Sequence, residues 1–315
     1  MKSHGPSHGK SAAAAPNREK PAREPSKGPQ GKFTPYTPRQ TAAPAAAPER
    51  PYSPNRLSAP RPTQSRPAQP RPPQPSTAPS GTIWLYGIHA IAAALANPNR
   101  RLRRLLLTKE AEAALQTAHP APWPLASEPT DRARIDQLLG FDSVHQGAAL
   151  LSDPLPPPTL AQIMERSGPI LMLDQITDPR NVGAILRSAA AFKAAGVIVQ
   201  ERHAPDETGA MAKAASGALE TVPLLRAVNL ARTIVALRAG GFWVVGLAAG
   251  GNILRGSDFA ERKVALVLGA EGEGLRRLTR ETCDEIAGIS MPGEMESLNG
   301  SAAATLALYE MARKA

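Results

Sequence analysis

Ile170-Leu-Met-Leu173-Asp174-Gln-Ile-Thr-Asp-Pro-Arg-Asn181-Val-Gly-Ala-Ile-Leu-Arg187 is the stretch that decides the fold. Ile170–Leu173 is apolar at every position, which predicts a strand covered on both faces rather than one with a wet side. A polar, proline-containing loop follows, and apolar residues at helical spacing predict a helix over Val182–Ala195. The same unit recurs downstream. Strands are expected at Val197–Val199, Val222–Leu225, Trp243–Leu247, Val264–Leu268 and Ile286–Ser290. Helices are expected at Glu207–Leu219, Leu230–Arg238 and, closing the chain, Gly300–Arg313. Continuous apolar strands alternating with helices predict an α/β domain, a parallel sheet with helices on both faces. Ligands of such sheets bind outside the carboxyl ends of the strands, which singles out the loops after Leu173, Leu268 and Ser290.

Upstream, Ile83–Tyr86 reads as a strand and Ile88–Ala96 as an Ala-rich helix stopped at Asn97-Pro98. Leu105–Thr108 reads as a strand, and Ala111–Ala118 and Arg132–Leu139 as helices. Residues 82–152 therefore predict a small α/β domain. The proline-rich Ser152–Pro158 begins a linker over residues 153–164, and residues 165–315 form the larger domain.

The formal charge of +10 is unevenly spread. Residues 1–80 hold 13 Lys/Arg against 3 Asp/Glu, and the rest of the chain balances at 24 of each. This first quarter also carries 19 of the 33 prolines, which predicts a disordered, basic arm with too little apolar surface to offset ordering entropy. Such an arm is attracted to polyanions, nucleic acid being the usual one. A solubilising tail and a mitochondrial transit peptide are the other readings, the prolines arguing against the amphipathic helix a transit peptide needs. No apolar run approaches the ~20 residues needed to span a bilayer. Cys283 is the single cysteine, which leaves no disulfide framework and no Cys-based metal site, and a cytoplasmic setting is expected.

Each of the three loops has an unusual composition. The first places Asn181 near a helix start and Arg187 six positions later. Those two share a helix face only if Asn181 precedes the helix. The second, Leu268-Gly269-Ala-Glu271-Gly-Glu273-Gly274, follows a strand but has the wrong glycine spacing for a dinucleotide fingerprint. Glu271 and Glu273 would stand where a pyrophosphate should sit, so an uncharged or cationic ligand fits better. The third, Ile289-Ser-Met-Pro-Gly-Glu-Met-Glu-Ser297-Leu-Asn299-Gly-Ser301, leads into the last helix. Ser297 or Asn299 can cap that helix, and the rest of the polar run is free to converge on a ligand.

Taken in order, Asn181…Arg187, Leu268-Gly269-Ala-Glu271-Gly-Glu-Gly274 and Ser297-Leu-Asn299 resemble the SpoU (TrmH-type) RNA ribose 2′-O-methyltransferases of the SPOUT class. Tyr86-Gly-Ile-His89-Ala resembles the start of the small substrate-binding domain that some members carry, a layout closest to the RlmB type acting on a guanosine of 23S rRNA. The resemblance implies a knotted SPOUT-type sheet, a homodimer, and S-adenosylmethionine as the methyl donor, a cationic sulfonium that suits two nearby carboxylates. It implies cofactor contacts at Gly269, Ile289 and Leu298, and polar site positions at Asn181, Arg187, Glu271, Ser297 and Asn299. It implies RNA as partner, rRNA ahead of tRNA, and no metal. At position 300 this chain has Gly where the family commonly has an apolar β-branched residue.

The resemblance puts Arg187 nearest the reacting hydroxyl. A guanidinium with pKa above ~12 is a poor base, so the expected role is binding the adjacent phosphate and stabilising the developing alkoxide. Arg100, Arg101, Arg103 and Arg104 read either as a solvated face or as phosphate contacts. His89 reads as a structural residue or as an RNA contact. A non-catalytic RNA-binding protein of the same fold and a tRNA-directed enzyme are the alternative functions.

Overall fold

The structure, a computed structural model, describes residues 78–295 and 297–313. The basic arm lies outside the described residues up to position 77.

The small sheet is built from β1 (Ile83–Tyr86), α1 (Ile88–Ala96), β2 (Leu102–Leu107), α2 (Lys109–Ala118), β3 (Ser127–Pro129), α3 (Arg132–Leu139) and β4 (Ala148–Ser152). Its order is β1-β4-β2-β3, with β4 antiparallel to both β1 and β2. β4 has no counterpart in the sequence reading because its Ala-Ala-Leu-Leu-Ser run is short and lacks β-branched residues, yet all five residues are buried. Thr108 and Asp131 cap α2 and α3, each side chain accepting a backbone N–H of the first turn.

After the linker comes α4 (Leu160–Met164), closed by a capping box between Thr159 and Gln162, so part of the segment read as linker is helical. Then follow β5 (Ile170–Leu173), α5 (Pro179–Ala191), β6 (Gly196–Gln200), α6 (Gly209–Ala215), β7 (Leu224–Ala227), α7 (Leu230–Ala239), β8 (Phe242–Ile253), β9 (Lys263–Leu268), α8 (Arg277–Thr282), β10 (Glu285–Gly288) and α9 (Gly300–Ala312). The sheet is parallel throughout, in the order β10-β8-β9-β5-β6-β7. β5 and β6 are buried along their whole length, as the apolar runs require. Leu171, Leu173 and Leu266 face a core shared with α5, α6 and α9, and Ile170, Met172 and Val267 face one shared with α7. The first core runs on without a break into Leu85, Ile91 and Leu105 of the small sheet.

Three boundaries move for stated reasons. α5 begins three residues before the expected Val182, because Asp178 caps it and Pro179 takes its first position. α6 is shorter than Glu207–Leu219, because Ser216 and Gly217 both take left-handed backbone and stop it. β8 runs on to Ile253, and its pairing with β10 jumps from Gly246↔Ile286 to Asn252↔Ala287. That extra length folds over β10 beside the third loop, so closely that a Cβ on Gly251 would press on the backbone of Ala287.

Candidate active site

The carboxyl ends of β5, β9 and β10 carry the three loops singled out by their sequence, and tertiary contacts join residues from all three. Glu271, on the loop after β9, is the centre. Its Oε1 accepts the Asn299 Nδ2–H at 2.8 Å, the Gly300 backbone N–H at 3.1 Å and the Asn181 Nδ2–H at 3.4 Å. Asn299 Nδ2 also lies 3.4 Å from Asn181 Oδ1. The Glu271 carboxylate thus accepts a free N–H at the start of α9, where a helix favours negative charge. Asn299 Oδ1 accepts from the Ser301 backbone N–H at 2.9 Å and the Ser301 hydroxyl at 2.6 Å, making Asn299 the cap of α9. Of the two candidate caps the sequence offered, the structure takes Asn299.

Asn181 is the third residue of α5 and not a residue preceding it. At about 100° per residue, six positions turn Arg187 well away from Asn181, so the two do not share a face. Arg187 is exposed and, like the exposed Ser297, makes no hydrogen bond or ion pair with a described residue. It does share a face with Arg180, one heptad earlier and also exposed. The site therefore has a joined part, Asn181–Glu271–Asn299, and an open cationic helix face.

The residues expected at a cofactor line the same end of the sheet. Gly269 leads into a loop closed by a bridge between Ala270 and Gly274, whose N–H donates to the Ala270 carbonyl at 2.9 Å. A Cβ on Gly269 would overlap the backbone of Gly274, so only glycine lets the loop fold back. Ile289 is half-buried, and Leu298 is 37% exposed. The donor set fits a cationic, adenine-bearing cofactor. Residues 269–275 contain two acids and no base, and the apolar Ile289 and Leu298 side chains retain accessible surface. Gly300 donates its N–H to Glu271, and the space there does not require glycine: a Cβ would meet Ile176 Cδ1 at 3.6 Å and Glu271 Oε1 at 3.9 Å, ordinary contacts. Among the described residues no group of three His, Cys, Asp or Glu side chains is placed to hold a metal.

Asp174 and Arg276 are the pair the sequence reading missed. Asp174 is fully buried at the end of β5, and its carboxylate accepts Arg276 Nε–H at 2.7 Å and the Arg276 backbone N–H at 3.2 Å. Its own N–H donates to the Leu268 carbonyl at 2.7 Å. The first and second loops are thereby tied at their roots. The available signal was an acid directly abutting a buried apolar strand, a position that requires a partner.

The basic cluster divides into three arginines at the surface beside acids and one that is buried. Arg103 forks onto Asp153 at 2.9 and 2.8 Å, Arg104 onto Glu128 at 2.9 and 2.6 Å, and Arg101 lies 3.8 Å from Asp153. Arg100 is buried. His89 is exposed on the first turn of α1, so a packed structural role is not what holds it there.

Comparison with known proteins gives the same assignment. Residues 168–309 match the SpoU rRNA Methylase family, and residues 84–158 match the RNA 2′-O ribose methyltransferase substrate binding family. An uncharacterized tRNA/rRNA methyltransferase of Synechocystis is 37% identical over 243 residues, 73% of this chain and 62% of that relative. The 23S rRNA (guanosine-2′-O-)-methyltransferase RlmB of Ralstonia nicotianae is 41% identical over 251 residues, 73% of this chain and 95% of that relative. Among solved structures, the SpoU methyltransferase AviRb of Streptomyces viridochromogenes, in complex with AdoMet, matches 74% of this chain and 90% of its own at a TM-score of 0.61 and 26% identity. With a glutamate-centred junction of three loops at the carboxyl end of a parallel sheet, and a second small domain before it, the chain belongs to the SpoU rRNA methylase family.

Proposed function

We propose that this chain transfers a methyl group from S-adenosylmethionine to the ribose 2′-hydroxyl of a guanosine in 23S rRNA. Residues 82–152 hold the RNA and residues 165–315 carry the chemistry. The observation that carries the reading is the meeting of Asn181, Asn299 and the α9 N-terminus on one Glu271 carboxylate oxygen. The cofactor supplies an electrophilic methyl on a sulfonium. The chain's own residues supply position. Gly269 permits the folded loop that carries Glu271, Asn299 fixes the start of α9, and Ile289 and Leu298 offer apolar surface to an adenine. Two reactants held in line account for much of a methyl transfer.

Arg187 makes no ion pair with a described residue, and its guanidinium is the group offered to a phosphate flanking the target nucleotide and to the developing alkoxide. Arg180 on the same face extends the cationic strip by about 10 Å along the helix. The hydroxyl proton leaves to the bound phosphate or to water. The same reading makes the enzyme cytoplasmic and a homodimer, the dimer alone drawing support from Leu306 and Tyr309 on α9, 40% and 48% exposed.

The test offers purified protein labelled S-adenosylmethionine with unmodified ribosomal RNA or tRNA. Label recovered as 2′-O-methylguanosine from the ribosomal pool is expected. Label only in the tRNA pool moves the substrate to tRNA, and label in neither refutes the activity. Light scattering reports the dimer directly.

A further inference from the structure

Arg100 stands outside the site just described, yet it is the most heavily bonded charge among the described residues. It is 4% exposed and lies between α1 and β2 of the small domain. Its Nη2–H and Nε–H fork onto Glu220 at 2.6 and 3.1 Å, and its Nη1 group reaches Glu207 Oε1 at 2.5 Å and the Asp153 carbonyl at 3.0 Å. Both glutamates belong to the larger domain, Glu207 just before α6 and Glu220 just after it. Both carboxylates accept a further donor as well. Glu207 Oε2 accepts the Leu155 N–H at 3.2 Å, and Glu220 Oε2 accepts Asn97 Nδ2–H at 2.7 Å. One guanidinium thus gathers the small domain, the linker and both ends of α6.

α6 is also the helix on which the catalytic helix rests. Gly183 of α5 sits against the Met211 carbonyl and the Ala214 side chain of α6, between the positions of Asn181 and Arg187. Gly209 of α6 sits against the Trp84 carbonyl and the Tyr86 ring of β1, and Lys213 donates to Gln146. The path from small domain to catalytic helix is therefore one helix thick.

Two kinds of contact join the domains, and they do different things. The shared apolar core holds them together by hydrophobic burial, which is itself non-directional. A cavity of about 650 Å³, lined in part by Pro154–Pro158, Asn97, Glu207 and Glu220, lies on the outer side of the seam, so close packing does not fix the angle there. A bidentate guanidinium–carboxylate fork does fix an angle. The cluster is also unbalanced, with two carboxylates to one guanidinium, and desolvation raises the pKa of Glu207. Without Arg100 the two acids would face each other with no counter-charge, which disfavours the docked arrangement.

We propose that Arg100 is a positioning residue that fixes the orientation of the substrate-binding domain on α6, so that RNA held by the small domain is presented to the Asn181–Arg187 face of α5. This rests on the reading of the chain as an RNA methyltransferase.

The test uses full-length protein in a Cys283→Ala background, with spin labels at Gln116→Cys on α2 and Ala236→Cys on α7, diluted with unlabelled chain. The parent should give one narrow interdomain distance. Arg100→Met should broaden it, raise KM for an rRNA fragment at least tenfold, and leave kcat at saturating RNA and the S-adenosylmethionine Kd within threefold. Glu220→Gln keeps the volume and covers the case in which Arg100→Met does not fold. It should also broaden the distance and raise KM, whereas a purely electrostatic effect on RNA binding would lower KM, since a negative charge is removed. An unchanged distance distribution, or a broadened one with unchanged KM, overturns the proposal. Failure of the parent to methylate RNA would sink the proposed function, and the distance measurement would still decide the role of Arg100.

Discussion

Replacing Gly183 by Ala puts the geometry of α5 to a direct test. Two effects of opposite sign compete. Glycine inside a helix is about 1 kcal/mol worse than alanine, so on local grounds the substitution stabilises α5. Against this, the new Cβ would overlap the Met211 carbonyl oxygen, lie 2.7 Å from Ala214 Cβ and 3.1 Å from the Ala215 nitrogen. Carbon atoms settle at about 3.5–4.0 Å, and none of these three neighbours can rotate away, so α5 and α6 must part by about 1 Å. Overpacking of this kind costs about 1–3 kcal/mol, which leaves a net loss of roughly 0–2 kcal/mol. The larger effect falls on the site. The Asn181 contacts to Glu271 and Asn299 are already 3.4 Å long, and a shift of 1 Å breaks them. Misplacement of that size costs on the order of 100-fold in rate. Urea unfolding gives the stability term, and single-turnover methyl transfer at saturating cofactor gives the rate. A variant about 1 kcal/mol more stable than the parent, with full turnover, would refute the reasoning, because only the helix-propensity term would then be present.

Three further outcomes are expected. Gly300→Ala should stabilise the protein by about 0.5–1 kcal/mol with methyl transfer retained, since the added Cβ finds ordinary contacts beside Ile176 and Glu271; loss of cofactor binding would show that glycine is required at this helix start. Asp174→Asn leaves Arg276 facing a neutral partner at the root of two loops, and because Arg276 is 37% exposed the cost should fall below the ~3–5 kcal/mol of a fully buried pair, at about 1–3 kcal/mol. A melting temperature equal to that of the parent would remove the pair from the account. Burial pushes the Cys283 thiol up to about 11, with Asp284 adding to it. At pH 8 its thiolate fraction is then roughly 200-fold below that of an ordinary thiol of pKa ~8.5, and alkylation should be slow and accelerate as pH rises. Labelling at the rate of free cysteine would contradict the half-buried position beside Asp284.

Some of the architecture is legible because local chemistry dictates it. Ile170–Leu173 and Val264–Leu268 are apolar at every position and short, and a strand covered on both faces uses that pattern. α1 and α3 end where Asn97 and Gly140 stop them, and the final helix starts at its Asn299 cap. β4 and α8 escape the same reading, one a short run without β-branched residues and the other a charged six-residue helix, because neither has a period long enough to register.

The site divides in the same way. Its three loops can be picked out from residue type and order, since parallel sheets bind ligands at their carboxyl ends, and the family resemblance singles out Asn181, Glu271 and Asn299 within them. That one Glu271 oxygen gathers the other two residues depends on distances between segments about 90 and 28 positions apart, and no local rule supplies those. The start of α5 decided that Asn181 and Arg187 point different ways. Arg100 is the sharpest case. In sequence it is one of four neighbouring arginines with equal claims to solvent or phosphate. In the folded chain three of them sit at the surface with acid partners, and the fourth is sealed between Glu207 and Glu220, more than a hundred residues away. Sequence alone determined the long strands and helices and which loops lie at the carboxyl end of the sheet, because hydrophobic period and capping act over a few residues. Only the tertiary structure decided which charges meet, because desolvation and ion pairing depend on what the rest of the chain brings alongside.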